Sequence, residues 1–157
     1  MAKIKFSVNG KTVQMDTDPL KRLIDILRED LDLVSVKEGC GEGECGSCSI
    51  LMDGQMVNSC LVPVLSADGT SIVTMEGLSQ SDRGKCIIEA FAGEGSVQCG
   101  YCTPGMVMAA ESILTRHPNP SEQEIRIGLS GNLCRCTGYD MIVKGIQTAA
   151  KNGDGLW

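Results

Sequence analysis

The sequence predicts an α+β fold in two successive parts, a strand-rich unit over residues 1–77 and an all-helical unit over residues 78–157. Three observations carry this expectation. In the first part apolar residues recur at every second position between tight-turn dipeptides; from Leu78 onward they recur at helical spacing; and 157 residues suffice for one domain or two small ones.

The first strands are Ile4, Phe6 and Val8 before Asn9-Gly10 and Val13 and Met15 after it, the pattern of a hairpin closed by a tight turn. Asp18-Pro19 then reads as a helix cap and first helical residue, with Leu20, Leu23, Ile24 and Leu27 along one face of a helix ending near Asp30. After a glycine-rich loop, "SILMDGQMVNS" predicts a second hairpin about Asp53-Gly54, and "TSIVTMEG" adds a strand. The boundary falls between Gly77 and Arg83. Beyond it the spacing predicts helices over 83–92, 104–116, 121–129 and 138–151, the third opened by a capping box of Ser121 and Glu124. Four short helices suggest a bundle. "CGYCTPGMVM" and "CRCTGYDMIV" echo one another, each setting Cys-Thr at a helix start with Thr103 and Thr137 as caps and Pro104 at the first helical position.

A net charge of −6 argues against a nucleic-acid partner, because neutralising phosphates needs a basic surface. No apolar run approaches the length needed to cross a bilayer, so no membrane span is expected. Nine cysteines are an odd number, and the N-terminal stretch "MAKIKFSVNG" has the pattern of a strand and not of a secretion signal; both point to a reducing cytoplasm. Aromatic residues make up only 3% of the chain, so aliphatic packing and whatever the cysteines bind must fix the fold.

The cysteines fall into two groups. Cys40, Cys45 and Cys48 stand at C-x4-C-x2-C in "GCGEGECGSC", and Cys60 follows across a hairpin, the plant-type spacing for a 2Fe-2S cluster. Each ferric ion of such a cluster takes two sulfides from the cluster and two thiolates from the protein. Gly39, Gly41, Gly43 and Gly46 suit a loop whose N–H groups must approach sulfur closely. A four-cysteine zinc site is the competing chemistry, but zinc ribbons favour two C-x2-C hairpins over one glycine-dense loop. The second group pairs Cys99 and Cys102 with Cys134 and Cys136. On ligand count alone it suits zinc as well as iron; two helix N-termini aimed at the site would favour the more negative cluster.

"GCGEGECGSC", "QCGYCTPGM" and "GNLCRCTGY" together resemble the small iron-sulfur subunit of the molybdenum hydroxylases, the group of xanthine dehydrogenase, aldehyde oxidoreductase, carbon monoxide dehydrogenase and nicotinate dehydrogenase. The resemblance spans nearly the whole chain, and all eight ligand cysteines match. It implies a β-grasp plant-type ferredoxin domain followed by a four-helix-bundle domain, with Cys40, Cys45, Cys48 and Cys60 on a first 2Fe-2S cluster and Cys99, Cys102, Cys134 and Cys136 on a second. By position in the motif, Gln98 and Cys136 correspond to residues that contact the pterin of a partner subunit. The implied function is electron transfer from a molybdopterin-binding large subunit through both clusters to FAD in a medium subunit, with no substrate chemistry in this chain. The substrate expectation is an N-heteroaromatic of nicotinate or purine type. A free-standing two-cluster ferredoxin shuttle is the alternative, and a zinc-stabilised interaction module a second.

Several residues read as structural. Cys86 has the setting of a packed core thiol, and His117 lies at a helix end where it can meet the negative terminus. Glu38, Glu42 and Glu44 crowd the first cysteine loop, where they solvate it or oppose reduction of a cluster and orient a basic partner.

Overall fold

Asn9 and Gly10 both adopt left-handed φ angles (50° and 78°), the backbone a two-residue turn between twisted strands requires. They close β1 (Ala2–Val8) onto β2 (Lys11–Thr17). Asp53 and Gly54 do the same (49° and 77°) for β3 (Ser49–Met52) and β4 (Gln55–Asn58). The computed structural model describes residues 1–157 and joins the two hairpins through β5 (Ser71–Val73). The strand order is β2-β1-β5-β3-β4, with β1 and β5 parallel and every other neighbour antiparallel. This is a β-grasp sheet, followed by the helical part.

Alternation along β1 sends Ile4, Phe6 and Val8 into a core with Leu23, Ile24, Ile26 and Leu27. Each fully buried Leu or Ile there contributes about 1.5–3 kcal/mol. The first helix is shorter than the sequence predicts: α1 spans Leu23–Asp25 and continues as a π-helical turn over Ile26–Asp30. Asp18 Oδ1 accepts from Leu20 N–H (2.9 Å) in a turn, and Leu20 is 75% exposed. Residues 19–21 instead form a turn and bend, and Arg22 is extended in a bridge to Pro63, with Leu23 N–H donating to Val62 O and Val64 N–H to Lys21 O. Those bonds use the backbone groups that an earlier helix start would have needed.

A four-residue helix that the sequence pattern did not announce, α2 (Met75–Leu78), links the two parts. Asn9 holds it in place: its Oδ1 accepts from Thr74 N–H (2.9 Å) and its Nδ2–H donates to Thr74 Oγ1 (3.0 Å). Then come α3 (Asp82–Gly93), α4 (Thr103–Arg116), α5 (Glu122–Gly128) and α6 (Asp140–Asn152). The Ser121–Glu124 capping box is present on α5. Helix α4 is buried on nearly every side, and Ala109 and Ala110 leave its neighbours room to approach. Ile50 faces the α1 core while Leu51, its neighbour on β3, packs with α4, so the sheet is covered on both faces.

Trp157, the only tryptophan, donates its Nε1–H to the buried Glu111 on α4 (2.9 Å). Arg83 donates to Glu111 Oε1 (3.2 Å) and Leu156 O (2.6 Å), and its guanidinium lies 6.0 Å from the centre of the indole. Cys86 is half-buried, more open than a core thiol, with Sγ 3.6 Å from Ala149 O. His117 caps the C-terminus of α4 through its backbone N–H to Ile113 O, and its ring lies 3.8 Å from Glu124.

Candidate metal centres

The first cysteine loop owes its shape to glycine. Gly43 and Gly46 hold left-handed φ angles (77° and 67°), and neither has room for a Cβ, which at Gly43 would overlap the Leu61 side chain and at Gly46 the Gly131 carbonyl. The loop is further tied to β4 by Asn58 Nδ2–H donating to Gly43 O (2.8 Å). Within it the N–H groups of Glu42 and Glu44 each donate to Cys40 Sγ at 3.3 Å. With the Cys45 N–H they pull the Cys40 thiol down to about 7, because donors stabilise the thiolate. Cys48 enters β3 and Cys60 sits in the turn after β4, so the hairpin brings both, buried, to one place. Burial and the adjacent Cys48 push Cys60 up to about 11.

Of the acidic residues around this loop, Glu42 and Glu44 keep their side chains in solvent, as the solvating reading expects, and Glu38 has a specific partner. Glu38 is paired with Arg22 (2.5 Å), which also grips Asp25. Glu42 and Glu44 serve Cys40 through their backbone, with exposed side chains.

The second group is assembled from two loops. Cys99 and Cys102 precede α4; Cys134 and Cys136 lie between α5 and α6. Cys99 and Cys136 meet with sulfurs 3.6 Å apart, both exposed, while Cys102 and Cys134 pair farther in. Burial pushes Cys102 up to about 12. Burial acts on Cys134 in the same sense, but the Thr137 hydroxyl, donating at 3.1 Å, and the N–H groups of Thr137 and Cys136 outweigh it and hold this thiol below its ordinary value. Gln98 is exposed beside Cys99, and the surroundings include the exposed apolar side chains of Val97, Tyr101, Leu133 and Met141.

The expected threonine caps are not caps. Cys102 is the N-cap of α4, Thr103 is already helical, and neither makes a capping side-chain bond. Helix α6 starts only after Gly138 and Tyr139, both left-handed (φ 64° and 73°), which shifts its N-terminus along from Cys136. Thr137 turns its hydroxyl to the Cys134 sulfur instead.

Two residues escaped the sequence reading. Tyr139 accepts from Cys134 N–H (3.0 Å) and donates to Asn132 O (3.2 Å), fixing the loop that carries Cys134. Asn132 is 2% exposed at the seam between the two cysteine loops. Burial marks out Asn132 and two loop hydrogen bonds mark out Tyr139, and a polar residue in a cysteine motif signals neither.

The thiols come in pairs, Cys40 with Cys45, Cys48 with Cys60, Cys99 with Cys136 and Cys102 with Cys134. No three metal-binding side chains converge on a single ion position. Paired thiols are the arrangement a two-iron cluster needs, each iron taking two, whereas one zinc gathers all its ligands about one point. The donor sets therefore fit 2Fe-2S clusters.

Comparison with known proteins agrees. Residues 6–74 match the 2Fe-2S iron-sulfur cluster binding domain and residues 74–147 the [2Fe-2S] binding domain. The nicotinate dehydrogenase small FeS subunit of Eubacterium barkeri is 44% identical over 94% of both chains. The xanthine dehydrogenase iron-sulfur-binding subunit of Escherichia coli is 43% identical, again over 94% of both chains. The crystal structure of quinoline 2-oxidoreductase from Pseudomonas putida 86 contains a chain that superposes with a TM-score of 0.91 at 42% identity, covering 98% of this chain and 96% of that one. With both cluster-binding domains matched and such identity over nearly the full length, the chain belongs to the family of small, two-cluster iron-sulfur subunits of the molybdenum hydroxylases.

Proposed function

We propose that this chain is the electron-transfer subunit of a molybdenum hydroxylase, taking electrons from a molybdopterin site in a large subunit and delivering them to FAD in a medium one. The observation that carries the proposal is the pairing of eight thiols into two four-cysteine sets on either side of one buried seam. Cys40, Cys45, Cys48 and Cys60 would hold one cluster within residues 1–77, and Cys99, Cys102, Cys134 and Cys136 the other within residues 78–157. A 2Fe-2S cluster, when bound, accepts and releases single electrons at a potential tuned by hydrogen bonds to sulfur and by exposure. The chain supplies that tuning differently at each site: backbone donors converge on Cys40, and the Thr137 hydroxyl serves Cys134.

The second set faces the molybdenum subunit in this reading. Gln98 and Cys136 are exposed at its edge, where an amide with both a donor and acceptor can pair with a pterin, and exposed apolar side chains nearby suit burial under a partner. Nicotinate, xanthine and quinoline, in the names of the three relatives, are all nitrogen heteroaromatics, which supports a substrate of that class. An odd number of cysteines, nine, suits a reducing cytoplasm, and no helix is long and apolar enough to cross a membrane.

Purification of the chain from its host under mild conditions tests the proposal. The expected product is a red-brown complex with two larger subunits, molybdenum and FAD, which oxidises nicotinate or xanthine. A monodisperse, fully iron-loaded chain that runs alone would establish the shuttle ferredoxin instead.

A further inference from the structure

Asn132 Nδ2 lies within hydrogen-bonding distance of three acceptors from three elements: Gly46 O in the first cysteine loop (3.0 Å), Ser49 Oγ on β3 (3.2 Å) and Gly105 O on α4 (3.2 Å). Its buried Oδ1 makes no hydrogen bond within the chain, so every contact this amide makes runs through its N–H groups. The next residue continues the contact, Leu133 N–H donating to Cys45 O (2.9 Å), so that the chain entering Cys134 lies directly against the chain leaving Cys45. The approach is as close as the backbone permits, since a Cβ on Gly105 would overlap Gly46 O and one on Gly46 would meet the Asn132 amide at 2.5 Å. Tyr139 secures the far end through Asn132 O and Cys134 N–H.

We propose that Asn132 is a positioning residue that sets the separation of the two cluster loops, and through that separation the rate at which an electron leaves one cluster and enters the other. The proposal rests on the two-cluster reading above. Asn132 makes and breaks no bond and ligates no iron. It acts because electron transfer falls steeply with distance, and its amide is the one side-chain donor joining the Gly46 turn, β3 and the start of α4.

The test compares Asn132→Ala with wild type in the intact complex by iron content, by the spin–spin splitting between the two reduced clusters in electron paramagnetic resonance, and by rapid-freeze kinetics. The expected variant keeps wild-type iron, shows an altered splitting, and passes electrons between the clusters a few-fold more slowly, as the exponential fall of electron transfer with distance requires for a small displacement. Wild-type iron with unchanged splitting and rate overturns the proposal. Should Asn132→Ala lose iron, Ser49→Ala takes its place, because it removes one of the three acceptors from the other side of the seam; an unaltered splitting there also overturns it. A wild-type complex with iron for only one cluster would refute the two-cluster reading instead, a result read from the iron assay alone.

Discussion

The two cysteine sites reach the same donor set by opposite routes. The first is local: three ligands share one glycine-bent loop, the fourth lies one hairpin away, and the donors aimed at Cys40 are backbone N–H groups. The second is non-local, joining the loop before α4 to the loop before α6, and its organisers are side chains, Thr137 and Tyr139. A local loop needs little beyond its own sequence to take shape. A site made from distant segments exists only once α3 to α6 have packed, because loop-closure entropy must be met before its ligands meet. Accessibility differs by a step: Cys48 and Cys60 are buried and Cys40 and Cys45 partly so, whereas Cys102 and Cys134 are partly buried and Cys99 and Cys136 exposed.

The largest effect expected from this contrast is on metal content. Cys45→Ala and Cys134→Ala should each reduce iron from about four to about two atoms per chain, since in the proposed assignment each removes one ligand of one cluster. Iron analysis with visible and paramagnetic spectra distinguishes which signal is lost. If Cys134→Ala empties the first site as well, that site is not self-sufficient and the contrast collapses.

A smaller effect is expected where the sites touch. Gly46→Ala puts a methyl group against Gly131 and Asn132 at a left-handed φ of 67°, so overpacking should lower stability by about 1–3 kcal/mol. Gly10→Ala, with a similar φ of 78° but open space around it, should lose only about 1 kcal/mol of stability, to backbone strain. Thermal melts of both variants measure the difference; equal losses would mean that the seam is loosely packed.

The smallest effect concerns tuning. Thr137→Val removes the hydroxyl that donates to Cys134 Sγ while keeping its shape, so the potential of one cluster should fall and that of the other stay put. Thr137→Ser should restore it. Redox titration followed by paramagnetic resonance resolves the two, and a shift in both potentials would show that the sites are electrostatically coupled and not separately tuned.

Much of this architecture is legible in the sequence, and the reasons differ by element. Asn9-Gly10 and Asp53-Gly54 announce their hairpins because few residues tolerate two successive left-handed angles. The capping box on α5 is equally readable, since both its partners lie within one turn. Asp18-Pro19 misleads because the same residues open helices and turns, and the deciding contact, Leu23 with Val62, is with a distant segment. Thr103 and Thr137 mislead for the related reason that a hydroxyl beside a cysteine can serve the sulfur as well as a helix end. The cysteine groups are visible by spacing. The Asn132 junction is not, because it joins Gly46, Ser49 and Gly105, positions that nothing in the linear order brings together.

The anchoring of Trp157 to Arg83 and Glu111 makes the molecule its own optical probe. Residues 1–77 contain no indole, so tryptophan emission reports the helical half alone, from beside a buried carboxylate and a guanidinium on α4 and α3. Strand content measured by circular dichroism reports the other half. Overlaying the two signals during a melt reads directly whether the seam at Asn132 binds the halves into a single cooperative unit, without adding a label to either.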